Sequence, residues 1–326
     1  MRRDEGEGEV ILRRVPELSV IVASHNTRAL LERCLTEIGA NAEVIVVDAA
    51  STDGSADLVR ERFPDVRLVD LHHNPGYGAA VNEGIARAGA PYLLLLNADA
   101  WPVGDALSRL VEFAESEPRA GIVGPLLRDT GGSVQPSVRG FPTLWRLLTE
   151  YLFLRWLAPR SRALNSFYAA GFDHRSRRDA EFLVGAALLV RRRLLDEVGP
   201  FDASFFMFNE EVDLCYRARA AGWRVVFWPE AEFVHVGGAS TAQNWPQMYR
   251  EQLRSHLRFL AKHRGPAEAE RARRWLARAM RARALVFALT GRAERRELAL
   301  GAAAWLCSGG VTELLELPAP AGAAEA

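Results

Sequence analysis

The chain has 326 residues, 49% hydrophobic and 25% charged, a globular make-up that excludes a disordered or fibrous protein and can fill one large core with an appendage. Basic and acidic side chains balance at 41 each, and no nucleic-acid partner is expected. Three cysteines (Cys34, Cys215, Cys307) are an odd number without metal-ligand spacing, the pattern of a reduced cytoplasmic protein.

Residues 1–16 are charged and lack an apolar h-region, so they predict a flexible segment and no signal peptide. A main domain is expected over 17–244. Leu18–Ala23 and Glu43–Asp48 are apolar, β-branched runs that read as buried parallel strands, the first ending at Ser24-His25-Asn26. A helix is predicted from about Thr27 to Ile38 and a second from Ser55 through Arg62. Val66–Asp70 is a third strand, and Asn74-Pro75-Gly76-Tyr77-Gly78 opens a helix to about Ala88. Tyr92–Asn97 is a fourth strand with Asn97-Ala98-Asp99 at its end. Strands and helices alternating at this spacing predict an α/β fold with a mostly parallel sheet. In such sheets ligands bind beyond the carboxyl ends of the strands, where Ser24, Asp48, Asn74, Asn97 and Asp99 all fall. Phosphate-loop and dinucleotide glycine fingerprints are absent, which argues against an ATPase or a dehydrogenase.

A helix over about Asp105–Glu115 and a strand over Ile122–Leu127 follow. Arg128–Pro142 is a polar loop carrying Gln135, Ser137 and Arg139; Thr143–Leu157 reads as an aromatic, partly amphipathic helix. Residues 160–180 have no periodicity and predict a mobile loop, and Phe182–Val190 a buried strand. Phe201–Ser240 then gathers an acidic cluster (Glu210, Glu211, Asp213), a helix, a strand over Arg224–Trp228 and a His235-Val236-Gly237-Gly238 turn. Asn209 is predicted to cap the helix, which runs to about Ala221 with Gly222 as its stop. Glu210 and Asp213 share a face, while Glu211 points about 100° away. Carboxylates in a first turn suit the helix dipole, and Asp213 predicts an i,i+4 pair with Arg217. A capping role and a catalytic role both remain open for Glu210 and Glu211.

From Trp245 to 314 a basic helical extension is expected, with Trp275, Ala279, Ala282, Val286 and Leu289 on one helix face, and 315–326 as a disordered tail. Residues 250–296 hold 14 Lys and Arg against 4 Asp and Glu, a net +10 that implies either an anionic neighbour or a solvated Arg-rich helix. No stretch offers about 18 uninterrupted apolar residues, so no transmembrane helix is expected.

Seven motifs in order (SVIVASHN, VIVVDAASTDGS, NPGYGAAVNEGI, LLLLNADA, FLVGAALLVRR, VGPFDASFFMFNEEVDLCYRARAAGW, VHVGGAS) span about Leu18 to Gly265. On these the sequence resembles the inverting family 2 glycosyltransferases of the GT-A fold, and within them the bacterial rhamnosyltransferase-like group. The resemblance implies a Rossmann-like GT-A domain with a C-terminal helical extension. It also implies nucleotide-sugar binding by Ser24, Asn26, Asp48, Asn74, Gly76, Asn82 and Asn97. Asp48 would contact the nucleobase, or cap the turn that follows it; Asn97 would orient its loop or meet the ribose. Asn82 would steady the helix facing the nucleotide. Asp99 would ligate a divalent cation (Mg²⁺ or Mn²⁺), joined by His235 unless that is a buried structural histidine. Gly237, Gly238 and Ser240 would turn backbone N–H groups toward phosphate oxygens. The catalytic base would be Glu211, with Glu210 the alternative. The chain departs from the family pattern with Glu211 for an aspartate, Ala49 for an asparagine and Ala98 for a proline.

The implied function is sugar transfer from a nucleoside-diphosphate donor, dTDP-rhamnose first, to a hydroxyl of a cell-envelope or exopolysaccharide glycan. The acceptor is expected to be lipid-linked, with peripheral contact at the anionic inner membrane surface through 250–296 and 143–157. The alternative from another class is a non-catalytic nucleotide-sugar-binding module partnering an active enzyme. A nucleotidyltransferase would need a glycine-rich loop after the first strand, which SHNTRALLERC lacks.

Overall fold

A computed structural model describes residues 17–40, 42–238 and 244–316; the predicted segment 1–16, Ser240 and residues 317–326 lie outside them. The first half runs β1 (Leu18–Ser24), α1 (Arg28–Ile38), β2 (Glu43–Ala49), α2 (Ser55–Arg62), β3 (Arg67–Leu71), α3 (Tyr77–Ile85), β4 (Tyr92–Asn97), β5 (Ala100–Pro102), α4 (Ala106–Ser116) and β6 (Ala120–Arg128). Strands β3-β2-β1-β4 pair in parallel, with Ser24 opposite Asp48 and Ala23 opposite Asn97. Both sheet faces are buried: Val20, Val22, Leu94 and Leu96 enter one core layer, Ile21, Leu93 and Leu95 the other. Such strands read as unbroken apolar runs.

Two short strands, β7 (Val134–Gln135) and β8 (Val138–Arg139), lie in the predicted 128–142 loop. The predicted 143–157 helix is two, α5 (Leu144–Tyr151) and α6 (Leu154–Leu157), because Phe153 takes φ +61 between them. Residues 160–180 are not the loose loop expected. They include a 3₁₀ turn at Ser166–Tyr168 and strand β9 (Arg178–Asp179), with Phe167 and Phe172 against the core. The Phe182–Val190 run also divides. Strand β10 (Phe182–Leu183) pairs with β8, whereas β11 (Ala187–Arg191) runs antiparallel between β4 and β6. Continuous hydrophobicity does not reveal where a chain leaves one ladder for another.

After α7 (Arg192–Val198) and α8 (Glu210–Ala220), β12 runs from Arg224 to His235, well past the predicted end at Trp228. Pro229 is accommodated where the β12–β6 register shifts between Trp228 and Glu232. The sheet order is β3-β2-β1-β4-β11-β6-β12-β5, parallel in its first four strands and mixed beyond.

The helices α9 (Trp245–Arg264), α10 (Pro266–Leu289), α11 (Ala293–Cys307) and α12 (Val311–Glu316) pack with α5 around a core of their own. Helix α12 takes in the first two residues of the predicted tail. The buried stripe of α10 is Ala269, Ala272, Leu276, Ala279 and Met280; of the residues expected on one helix face, Ala279 is buried and Trp275, Ala282, Val286 and Leu289 are exposed. Alanines on α10 and on α11 (Ala299, Ala302, Ala303) let the backbones approach closely, and that decides the face.

Asp213 joins the two cores. It is 0% exposed and pairs with Arg217 as predicted, and also with Lys262 and His263 of α9, each contact at 2.7 Å. Burial pushes its pKa up, but the His263 and Lys262 hydrogen bonds and the Arg217 charge hold the carboxyl at about 2. Asp213→Asn leaves buried cations uncompensated, and should cost about 3 kcal/mol, read as a lower urea midpoint at unchanged m.

Candidate active site

The loop from Gly199 to Asn209 carries the acidic cluster, and it is held from three directions. Asn82 on α3 exchanges two hydrogen bonds with Phe201, its Nδ2 donating to the carbonyl (2.8 Å) and its Oδ1 accepting from the backbone N–H (3.0 Å). Tyr77 N–H donates to the Phe206 carbonyl at 2.9 Å. Gly76, at φ +92, lies so close that a Cβ there would run into the Phe206 backbone. Asn74 accepts from the Gly76 N–H at 2.9 Å, shaping the turn. From the other side α9 takes hold: Ser255 Oγ donates to the Met207 carbonyl (2.8 Å), and Asn209 Nδ2 donates to His256 Nδ1 (2.9 Å). Burial drives the His256 pKa down to about 4, keeping that nitrogen an acceptor. Asn209 is therefore not the side-chain cap expected. Its φ of +66 turns the amide away from the helix N–H groups and toward α9.

The turn at Phe208 and Asn209, both at φ +66, delivers Glu210 and Glu211 into a cavity of about 240 Å³. Tyr77, Asn97, Asp99, Gly185, Met207, Phe208 and His235 share its lining. One carboxylate oxygen of each glutamate is buried without a hydrogen-bond partner. Burial raises the Glu211 pKa to about 7, against the pull of the backbone N–H groups opening α8. Burial, and then the charge of Glu211, pushes Glu210 well above the ordinary carboxylate range. Two desolvated carboxyls side by side hold one charge more readily than two, and the N–H groups place it on Glu211.

Asp99 and His235 meet across the same cavity, Oδ1 to Nε2 at 3.4 Å. Asp99 Oδ2 also accepts from the Gly237 N–H at 3.1 Å. Gln135 fixes the histidine: its Nε2 donates to the His235 carbonyl at 2.7 Å, so its Oε1, 2.8 Å from Nδ1, must accept. Nδ1 thus carries a proton, which leaves the buried Nε2, without a hydrogen-bond partner, as the ring nitrogen that faces the Asp99 carboxylate. A nitrogen and a carboxylate oxygen so placed suit a shared cation. Among the described residues no three His, Cys, Asp or Glu side chains lie close enough to hold one metal ion, so Asp99 and His235 would supply two of its ligands.

Ser24, Asn26 and Asp48 form a second cluster, at the ends of β1 and β2. Asp48 lies two strand spacings, about 10 Å, from Asn97 along the sheet edge. One of its oxygens accepts from the Ser51 N–H (2.8 Å), the turn-capping contact, while the other is buried with no partner. Burial raises the Asp48 pKa. Asn26 Oδ1 accepts from the Thr52 N–H (2.7 Å), and Ser24 Oγ meets Thr27 Oγ1 at 2.9 Å, closing the two strand-end loops on each other.

Of the expected site residues, Asn97, Asp99, Glu210, Glu211 and His235 converge on one cavity. Ser24, Asn26 and Asp48 lie apart from it, and Asn74, Gly76 and Asn82 work on backbone. Ser240 falls outside the described residues. Gln135 and Tyr77 belong to the site without having been singled out. Gln135 sits in a loop with no motif, and its partner is 100 residues further on.

Residues 19–199 match the profile described as Glycosyl transferase family 2. The N-acetylglucosaminyl-diphospho-decaprenol L-rhamnosyltransferase of Mycobacterium tuberculosis is 35% identical over 304 residues, 87% of this chain and 97% of that protein. Rhamnosyltransferase WbbL of Escherichia coli is 25% identical over 255 residues, 75% of this chain and 93% of WbbL. The mannosyltransferase PcManGT from Pyrobaculum calidifontis, solved in complex with GDP-Man and Mn²⁺, superposes with a TM-score of 0.53 at 20% identity, covering 90% of this chain and 87% of that one. The fold is thus that of the GT-A glycosyltransferases. Gly76→Ala is expected to cost about 2 kcal/mol and to speed amide exchange at Phe205–Asn209, as hydrogen–deuterium exchange would read. With the profile covering more than half of its length and a relative above 30% identity along most of it, the chain belongs to glycosyl transferase family 2 and is a glycosyltransferase.

Proposed function

We propose that the chain is an inverting, metal-dependent enzyme that moves rhamnose from dTDP-rhamnose to a hydroxyl of a lipid-linked cell-envelope glycan. The observation that carries this reading is a desolvated carboxylate, Glu211, sharing one cavity with the Asp99–His235 pair at the carboxyl ends of the parallel strands. Similarity to two rhamnosyltransferases supports the donor sugar, and the diphospho-decaprenol acceptor in one relative's name supports the lipid link.

In the proposed reaction Glu211 takes the proton of the acceptor hydroxyl as its oxygen attacks the anomeric carbon, opposite the departing nucleotide. Glu210, whose pKa burial and the charge of Glu211 push well above the ordinary carboxylate range, lines the cavity beside it. Asp48, through its unpartnered oxygen, accepts an N–H of the nucleobase, while Ser24 and Asn26 shape the loop around it. Asn74, Gly76 and Asn82 serve the donor indirectly by positioning the loop that carries the base. Asn97, at the cavity wall, meets the donor's ribose. Asp99 and His235 would hold the cation, with Gln135 fixing the histidine tautomer. When bound, Mg²⁺ or Mn²⁺ would neutralise charge developing on the leaving diphosphate.

Glu211→Gln keeps the shape and removes the base, and a loss in kcat of about 10³-fold is expected; near-wild-type turnover would refute the assignment. Because the carboxyl titrates near 7 and only the charged form is a base, kcat/KM for the acceptor should rise tenfold per pH unit below about 7 and level off above it. Gln135→Ala frees the histidine ring and should weaken Mn²⁺ binding about 10- to 100-fold by calorimetry, in the absence of any turnover.

A membrane surface would present such an acceptor, and the fold offers one face suited to it. Trp156 and Leu157 of α6 and Leu289 of α10 are 64%, 77% and 79% exposed, and Phe153 stacks edge-on against Phe287 between the two helices. Arg278 and Arg281 are exposed residues of α10, and Arg292 is exposed just beyond its end. No helix among the described residues is long and apolar enough to cross a membrane. Vesicles containing about a third anionic lipid should sediment the protein at low salt, and Leu289→Glu with Trp156→Glu should abolish this.

A further inference from the structure

A second cavity, of about 280 Å³, is lined by Val138 and Arg139 of β8 and by Ala180 and Glu181 just before β10. Its lining includes Arg139, Arg146, Arg162, Arg178, Asp179 and Glu181. The two acids are already matched: Glu181 forms a fork with Arg146 (2.6 and 2.8 Å), and Asp179 pairs with Arg224 (2.7 Å). Among the described residues, Arg139, Arg162 and Arg178 have no carboxylate within ion-pairing distance, so the cavity keeps three uncompensated cations. Arg139 is the least solvated. Its guanidinium lies 4.0 Å from the centre of the Tyr168 ring, which also carries Arg155 at 4.4 Å, and its Nε donates to the Pro136 carbonyl. Desolvation and the neighbouring Arg155 charge both disfavour its charged form. One half-buried guanidinium, Arg139, and two exposed ones, Arg162 and Arg178, all without a carboxylate partner, suit a compact polyanion in a cavity of this size, since the planar fork matches phosphoryl oxygens.

The position narrows the anion further. Val138 pairs with Leu183, Val184 N–H donates to the Ser137 carbonyl at 3.0 Å, and Val184 and Gly185 line the Glu211 cavity. Gly185 follows Leu183 by two residues, in the turn between β10 and β11. The Arg139 charge is felt at Glu211, where it favours the ionised base. The two cavities are therefore connected through the β8–β10 pair and the residues that follow it.

We propose that this arginine cleft binds the diphosphate of the acceptor, holding a diphosphate-linked sugar so that its free hydroxyl reaches Glu211. The proposal rests on the lipid-linked acceptor put forward above. The donor's diphosphate is the competing source of the same chemistry. It would sit at Asp99 and His235 and depend on the cation, whereas the arginine cleft needs none.

Inorganic pyrophosphate is the probe, titrated calorimetrically into the full chain with EDTA present. Binding should weaken tenfold or more in Arg139→Ala and in Arg178→Glu and persist in Asp99→Ala. Arg178 is exposed, so its variant remains informative if Arg139→Ala fails to fold. Binding that survives both arginine changes, or that disappears in Asp99→Ala, overturns the proposal. A second arm compares a prenyl-diphosphate-linked sugar with an alkyl glycoside of the same sugar. The ratio of their kcat/KM values should fall tenfold or more in Arg178→Glu, while KM for the donor stays put. An unchanged ratio, with pyrophosphate binding lost, overturns the acceptor assignment. Transfer to neither acceptor refutes the lipid-linked reading, and the pyrophosphate arm then decides the cleft by itself.

Discussion

Two carboxyl groups buried side by side without a counter-ion are costly, and the architecture around them exists to make that placement stable. Glu210 and Glu211 enter the cavity from a turn with two consecutive left-handed residues, Phe208 and Asn209, a backbone that would relax if released. Three independent grips prevent it: the Asn82–Phe201 pair, the close approach at Gly76, and the Ser255 and Asn209 bonds to and from α9. Asp213, two residues beyond Glu211 on the same helix, has the opposite environment and the opposite pKa shift, about 2 against about 7. One short helix thus carries a carboxylate that anchors and a carboxylate that titrates near neutrality. The difference is made by His263 and Lys262 on a helix 50 residues away.

The C-terminal helices are for this reason more than an appendage. Helix α9 contributes Phe259 to the sheet's core and Leu253, Leu257 and Leu260 to the helical core. It also secures both the turn before α8 and Asp213 within it. Any surface that α10 presents to a membrane is mechanically continuous with the loop that carries the proposed base, through α9 and its packing on α10.

Antiparallel strand β11 divides the sheet edge into two territories. On one side the parallel strands β3-β2-β1-β4 end at Asp48, Asn97 and Asp99, the residues proposed for the donor. On the other, the chain before β11 turns aside to pair with β8, which places Gly185 under Glu211 and opens the arginine cleft beyond. Gly185 lies against the proposed base: a Cβ there would meet the Glu211 side chain at 3.4 Å, an ordinary contact. The transition between the proposed donor and acceptor territories is therefore a backbone event in a run, FLVGAALLV, that looks like a single strand.

Much of the fold was legible in the sequence because its signals are local. Apolar runs of five or six residues mark strands buried on both faces, and Ser24, Asp48, Asn97 and Asp99 at their ends follow from chain direction alone. The Asp213–Arg217 pair follows from helical spacing. What the tertiary structure decided were interactions between segments far apart in sequence, to which no periodicity refers. Gln135 gains its meaning only when its amide meets both ends of His235, and Asn209 becomes a tether only because His256 is opposite. On α10 alanines form most of the buried stripe while Trp275, Val286 and Leu289 stay exposed, a division that the helix–helix contact decides. The chemistry followed the same division: which residues carry carboxylates is written in the sequence, but which of them is ionised depends on desolvation and on neighbouring charge, and both exist only once the chain has folded.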